Sequence, residues 1–237
     1  ERDIVRLHLL LVASVCLSCA APPPAVAPPA VVQPTAAASP PPGHHGQGFH
    51  HGFKDAATWA KVFDDPARDA WQKPEAVIDL LALGPTSKVA DVGAGTGYFA
   101  VRIARRVPEG RVYAVDIEPD MVRHLGERSA REHLPQITPV LATGDDAKIP
   151  EPVDVVLIVD TLHHIDDRPA YLAKLRNTLK DGGRLFVVDF TLDSAMGPPK
   201  QHRLAPAAVV KDAEQAGLRA FPVTLELPNQ YVLGFKR

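Results

Sequence analysis

The chain has 237 residues, of which 46% are hydrophobic, and a formal net charge of -2 at pH 7. That is enough apolar material for one substantial core, and the lack of basic excess argues against a nucleic-acid partner. Its 24 prolines are unevenly spread and divide the chain before any motif is read.

The first segment, residues 1–21, has the three parts of a secretory signal: basic Arg2 and Arg6, an apolar run from Leu7 to Leu17, and small residues around Cys19. The run is too short to span a bilayer comfortably. Cys16 and Cys19 are the chain's two cysteines, so the rest of the chain carries no disulfide. Cys19-Ala20 resembles a lipoprotein acylation site, with cleavage after Ala20 or Ala21 as the alternative. The sequence opens on Glu1 without Met, and Val5 is the expected start. An exported protein is therefore expected, periplasmic or tethered to a membrane through its N-terminus, or cytoplasmic if the segment is no signal. Residues 22–48 form a Pro/Ala-rich linker, extended and semi-rigid. His44 to Phe53 holds four of the ten histidines in two pairs. That spacing suits a transition metal, but no cysteine or carboxylate set completes a shell. A surface linker or a lid is the expectation, and no metal site is assigned.

The folded domain is expected over residues 49–237. Phe63 to Pro74 places Trp71 and Lys73 ahead of a first helix running from Pro74 to Leu83 and closing on Gly84-Pro85. Val89 to Ala100 then reads as a strand bearing Asp91, a loop with Gly93, Gly95 and Gly97, and a helix from about Tyr98. Without Cβ atoms the loop can turn sharply and bring backbone amides against a ligand, and the unpaired N–H groups of the helix start favour an anionic group. The glycine spacing is not the dinucleotide fingerprint, whose sixth position must be small for close helix packing; here it is Tyr98. Val112 to Asp116 is a second strand ending in an acid, with Ile117 beside it and a helix opening at Pro119-Asp120. One carboxylate there can accept from both hydroxyls of a ribose. Pro139 to Pro150 gives a short third strand followed by Asp145 and Asp146. The nearly unbroken apolar run from Pro152 onward marks a central parallel strand covered on both faces. It leaves Asp160, His163 and His164 beyond the carboxyl ends of the strands, where ligands of open parallel sheets bind.

Leu172, Leu175 and Leu179 recur at helical spacing, and Leu179 to Phe190 supplies a helix end, a Gly182-Gly183 break and a fifth strand. Val209, Ala213 and Ala216 form a last helical stripe after Pro206 that stops at Gly217. Leu218 to Leu227 and Gln230 to Arg237 are separated only by Pro228-Asn229, too short for a parallel crossover, so an antiparallel pair is predicted.

The Asp-x-Gly-x-Gly-x-Gly loop at Asp91 to Gly97 resembles motif I of the class I S-adenosylmethionine-dependent methyltransferases, of the type 11 and 25 domain kind. Leu162 to Ile165, reading Leu-His-His-Ile, is similar to the motif IV of many members. Leu179 to Leu185 resembles their Leu-x-Pro-Gly-Gly-x-Leu signature, with Asp181 in the proline position. The resemblance covers Phe63 to Arg237. It implies an α/β fold: one Rossmann-like, doubly wound, mostly parallel seven-stranded sheet with an antiparallel last strand. It implies S-adenosyl-L-methionine as cofactor, with Asp91, Gly93, Gly95 and Gly97 at its methionine end, Asp116 at its ribose, Asp145 and Asp146 at its adenine, and Ile117 and Asp160 also among the residues that bind it. The bland reading of Asp145 and Asp146 is a solvated acidic turn. In the family the segment before motif I often closes over the cofactor, which would bring Trp71 and Lys73 to the site.

Methyl transfer needs alignment more than acid-base work. Where the acceptor carries a proton, His163 or His164 is the candidate to take it, with His202 a weaker one. The competing reading has these histidines packed or bonded to a carboxylate such as Asp160 or Asp166. The short inserts favour a small-molecule or lipid-like acceptor. An exported nucleoside-binding or scaffolding protein without turnover is the alternative, and a nicotinamide oxidoreductase is opposed by Tyr98 and the antiparallel end. Export and a cofactor made in the cytoplasm pull against each other.

Overall fold

A computed structural model of the chain describes residues 55–237. The signal, the linker and the His44 to His51 cluster lie outside the described residues. In chain order the elements are α1 (Ala56–Phe63), α2 (Arg68–Gln72), α3 (Pro74–Leu80), β1 (Lys88–Val92), α4 (Tyr98–Arg106), β2 (Arg111–Asp116), α5 (Pro119–Arg131), β3 (Ile137–Leu141), β4 (Val153–Val159), α6 (Arg168–Thr178), β5 (Leu179–Phe190), α7 (Pro206–Gln215), β6 (Arg219–Phe221) and β7 (Gln230–Lys236). Short 3-10 turns cover Leu162–His164 and Lys200–His202.

The strands form one seven-stranded sheet in the order β3-β2-β1-β4-β5-β7-β6. Pairs among β1 to β5 are parallel, and β7 runs antiparallel to both β5 and β6. The expected fold class holds. From β1 the chain steps outward through β2 and β3, then returns to place β4 on the other flank, so the strand order reverses between β1 and β4. That reversal opens a crevice above the carboxyl ends of β1, β2 and β4.

Alternation along each strand sends side chains to two layers. On one face Val89, Leu157 and Phe186 pack against Ile78 of α3, Ile103 of α4 and Leu125 of α5. On the other, Val156, Val187 and Phe235 pack against Leu172 and Leu175 of α6 and Val209 of α7. Local chemistry sets the helix starts. Pro74, Pro119 and Pro206 each occupy a first-turn position, where a missing N–H costs nothing. Asp167 caps α6 by accepting from the Ala170 amide at 3.1 Å.

Four boundaries differ from the sequence expectation. The first helix is not at Pro74: α1 and α2 precede it, and α3 ends at Leu80. The third strand begins at Ile137, two residues before the prolyl position that looked like its start. Leu179 belongs to β5, where it pairs with Val153, and the next pair is Val155 with Arg184. Residues Lys180 to Gly183 therefore bulge out of the strand, with Gly182 at φ 76°. Finally, β6 and β7 pair from Arg219–Lys236 to Phe221–Gly234, so their connection runs from residue 222 to 229 and is no two-residue hairpin. Pro222 lacks the N–H that would extend β6.

Candidate active site

The glycine loop joins β1 to α4, and each glycine sits at positive φ: 78° at Gly93, 55° at Gly95 and 96° at Gly97. A Cβ on Gly93 would fall 2.0 Å from Thr161 Oγ1, so this glycine lets the loop beyond β4 close onto the loop beyond β1. The loop amides are used internally. Gly93 and Ala94 both donate to the Val115 carbonyl (2.8 and 2.9 Å), Gly95 donates to Asp116 Oδ2 (2.8 Å) and Gly97 to the Ala94 carbonyl (2.9 Å). What the crevice offers a ligand is thus a set of carboxylates rather than these four amides.

Asp91 is 2% exposed, and its Oδ2 has no hydrogen-bond partner among the described residues. Burial pushes its pKa up to about 7, opposed by the Ala100 amide at the start of α4 and by Arg68. Asp116 accepts from Gly95 N and, through Oδ1, from Glu118 N at 3.0 Å; a carboxylate held this way keeps lone pairs for a diol. Its pKa is raised, chiefly by burial. Ile117 and Leu141, at the ends of β2 and β3, are both 51% exposed, an apolar rim beside the glycine of the next turn, Gly144. Asp145 points to solvent and pairs with Lys174 Nζ at 2.8 Å, which with Thr143 draws its pKa down to about 2. Asp146 turns back onto its own loop, accepting from Lys148 N at 2.8 Å. These two acids have protein partners of the kind a solvated turn provides.

Asp160 follows β4 at φ 52°, a left-handed conformation that costs on the order of 1 kcal/mol for a non-glycine residue. Its Oδ2 accepts from Gln72 Nε2 at 3.0 Å, its Oδ1 accepts from Gln230 Nε2, and Arg68 Nη2 stands 3.7 Å away. Burial pushes its pKa up to about 6, against the pull of Arg68. His163 is bonded through Nδ1 to both oxygens of Asp189 (3.0 and 3.1 Å), and the carboxylate is fully buried on β5. The carboxylate partner of this histidine is therefore Asp189, and neither Asp160 nor Asp166. His164 lies against it with ring centroids 4.2 Å apart. Across the β5–β7 ladder Asp189 faces Tyr231, whose buried hydroxyl has no hydrogen-bond partner among the described residues. His202 sits in the 3-10 turn of the β5–α7 connection.

The segment ahead of β1 covers this crevice. The Phe63 ring lies where a Cβ on Gly95 would come within 3.4 Å of it. Asp64 accepts from Arg128 (2.9 and 3.0 Å) and from Thr96 Oγ1 (3.1 Å), tying the end of α1 to α5 and to the glycine loop. Arg68 lies over the Tyr98 ring at 4.1 Å. Trp71 packs 5.9 Å from Phe190, while Lys73 turns outward to the Glu226 carbonyl at 3.3 Å. Arg68, Gln72, Asp189, Gln230 and Tyr231 are the site residues that the sequence did not single out. The signal available was Asp189, a lone acid inside the apolar run Leu185 to Phe190; Arg68 and Gln72 stand in a stretch of polar residues that hides them.

Residues 89–183 match the family profile of a methyltransferase domain. A solved S-adenosylmethionine-dependent methyltransferase from Aquifex aeolicus superposes with a TM-score of 0.70 at 26% identity, covering 76% of this chain and 97% of that one. The domain has the Rossmann-like methyltransferase fold. A stretch of 121 residues is 35% identical to an uncharacterized methyltransferase of Mycobacterium tuberculosis, covering 51% of this chain and 59% of that protein. Another, of 111 residues, is 34% identical to a ubiquinone/menaquinone biosynthesis C-methyltransferase of Cupriavidus taiwanensis, covering 45% and 44%. The chain thus spans roughly half the length of these curated relatives. Among the described residues no group of three or more His, Cys, Asp or Glu could hold a metal, and no helix is long and apolar enough to cross a membrane.

Proposed function

We propose that the protein is an S-adenosyl-L-methionine-dependent methyltransferase acting by in-line displacement on a small-molecule or lipid-like acceptor. The observation that carries this is Asp91, a carboxylate buried beneath the glycine loop with an oxygen that has no hydrogen-bond partner among the described residues, in a crevice it shares with Asp116 and Asp160. Such a set is costly without a cationic ligand. It fits a cofactor with an ammonium and a sulfonium, a ribose diol for Asp116, and a base for the apolar rim at Ile117. When bound, that cofactor supplies an electrophilic methyl group on a positively charged sulfur.

The chain's own contribution is to hold charge, align and exclude water. Asp91 and Asp160 supply negative charge at the methionine end. The α1–α2 segment covers the glycine loop and keeps solvent out. His163 is the group that takes a proton from an acceptor hydroxyl or ammonium: an Nδ1–H donated to Asp189 leaves Nε2 with the free lone pair. Asp145 and Asp146 are kept as adenine-side residues on family resemblance alone. The export reading of residues 1–21 and the membrane tether belong to this proposal too, and cell fractionation with N-terminal sequencing of the native protein tests them.

The deciding experiment is calorimetry of the full chain with S-adenosylmethionine and S-adenosylhomocysteine, followed by a screen of phenols, quinols and amines for release of S-adenosylhomocysteine. No binding of either nucleoside at millimolar concentration would end the methyltransferase reading. Binding without release for any acceptor would instead support a fold kept for nucleoside binding.

A further inference from the structure

At the head of β7, Gln230 Oε1 and the Tyr231 hydroxyl are buried polar atoms with no hydrogen-bond partner among the described residues. Because β7 runs antiparallel to β5, these first residues of the strand lie at the carboxyl end of β5, paired with Phe190 and Asp189. Alternation sends the two side chains to opposite faces of the sheet. Gln230 is already anchored, its amide nitrogen bonding Asp160. Tyr231 has no such anchor. Its side chain packs on the layer of α6 and α7, and its register partner is the carboxylate that holds His163. Residues opposite one another in an antiparallel ladder stand about 5 Å apart at Cβ, and Asp189 is among the charges that act on the tyrosine. The hydroxyl therefore belongs to the surroundings of the dyad.

An orphaned hydroxyl in a protein interior is costly, and a phenylalanine would fill the same space without that cost. Its chemistry is narrow. Burial holds the hydroxyl above the ordinary tyrosine range, and Asp189 adds to the effect against the pull of Arg168, so the group stays neutral and keeps a proton to donate. A ligand atom that meets this O–H must offer a lone pair, and an atom that meets His163 Nε2 must surrender a proton. A hydroxyl oxygen does both and has a second lone pair left for attack. A neutral amine has one lone pair, which the new bond consumes.

We propose that the Tyr231 hydroxyl binds the acceptor by donating to its oxygen, which makes the acceptor a hydroxyl compound and the reaction an O-methylation. The inference rests on the methyltransferase reading above. In the step, the acceptor O–H bond breaks and its proton goes to His163 Nε2, while an oxygen lone pair forms the new O–C bond. The bond between the methyl carbon and sulfur breaks together with it, and its electron pair stays on sulfur, which becomes a neutral thioether. The Tyr231 O–H faces the negative charge that builds on oxygen as the proton leaves.

The test is Y231F in the full chain. Its ligand-free melting temperature should rise by about 2–6 °C, since the substitution removes an unsatisfied buried group. Affinity for S-adenosylmethionine by calorimetry should stay within about twofold of wild type. Release of S-adenosylhomocysteine is then followed with matched pairs of phenols and anilines. The wild type should favour the phenols, and Y231F should lower kcat/KM on them by roughly tenfold to a hundredfold while anilines change by less than about threefold. Greater stability with weaker phenol turnover is a result that damage to the fold does not produce. Lower stability in Y231F overturns the proposal whatever happens to turnover, because the hydroxyl would then have a partner within the fold. Unchanged phenol turnover in Y231F overturns it too, as does a wild type that binds the cofactor but methylates no phenol. Failure of the wild type to bind S-adenosylmethionine removes the methyltransferase reading beneath it.

Discussion

Asp91 and Asp160 carry folded-state pKa values of about 7 and about 6, against an ordinary value of 3.8. The native state therefore holds protons that the unfolded chain releases, and stability falls as pH rises from about 4 to about 7. Cofactor affinity runs the other way, because a cationic ligand favours the ionised acids. Calorimetry at pH 5.5 and pH 8 should show tighter binding at the higher pH. Asp91→Asn should stabilise the ligand-free protein at pH 8 by roughly 1–3 kcal/mol, by progressively less as the pH falls toward about 4, and weaken cofactor binding. Gly93→Ala should cost about 2 kcal/mol or more in urea unfolding, since the new Cβ meets Thr161 at a backbone angle that suits glycine. Asp189→Asn tests the dyad. Cofactor affinity should stay within about twofold, while turnover of a hydroxyl acceptor drops roughly tenfold to a thousandfold through kcat more than KM. A fall in both binding and turnover would make Asp189 a structural residue only.

At the scale of elements, the α1–α2 segment is held to the rest by polar contacts, chief among them Asp64 with Arg128 and Thr96. Asp64→Ala should leave the sheet intact and speed limited proteolysis within residues 55–73 by roughly tenfold, as expected for the loss of one part-buried pair. This segment was also the least legible in the sequence. The parallel strands announce themselves because burial on both faces demands unbroken apolar runs, as in Val153 to Val159, and the glycine loop announces itself by spacing. The helices α1 and α2 are only eight and five residues long, too short for a clear periodicity, and the sense of Arg68 and Gln72 lies in Asp160, far along the chain. Periodicity carries no information about such a contact. His163 was visible as a candidate, but its partner Asp189 was hidden inside a strand that reads as core. The β6–β7 connection misled for a local reason: Pro228-Asn229 has the chemistry of a tight turn, but pairing stops at Phe221 because Pro222 has no donor.

At the scale of the molecule, one sheet serves two cores, so neither layer can melt without stripping the other of its wall. Phe186→Ala on one face and Phe235→Ala on the other should each cost about 3–5 kcal/mol, and both should shift a single unfolding transition. Two separate transitions by calorimetry would mean the layers fold independently.

The placing of β7 between β5 and β6 has a consequence for synthesis. As the polypeptide leaves the ribosome, β6 emerges with no neighbour to join, and the outer flank of β5 stays open until Gln230 to Lys236 arrives and fills the gap. A nascent chain stalled before that point would expose the facing edges of β5 and β6 to its surroundings, and only β7 joins them.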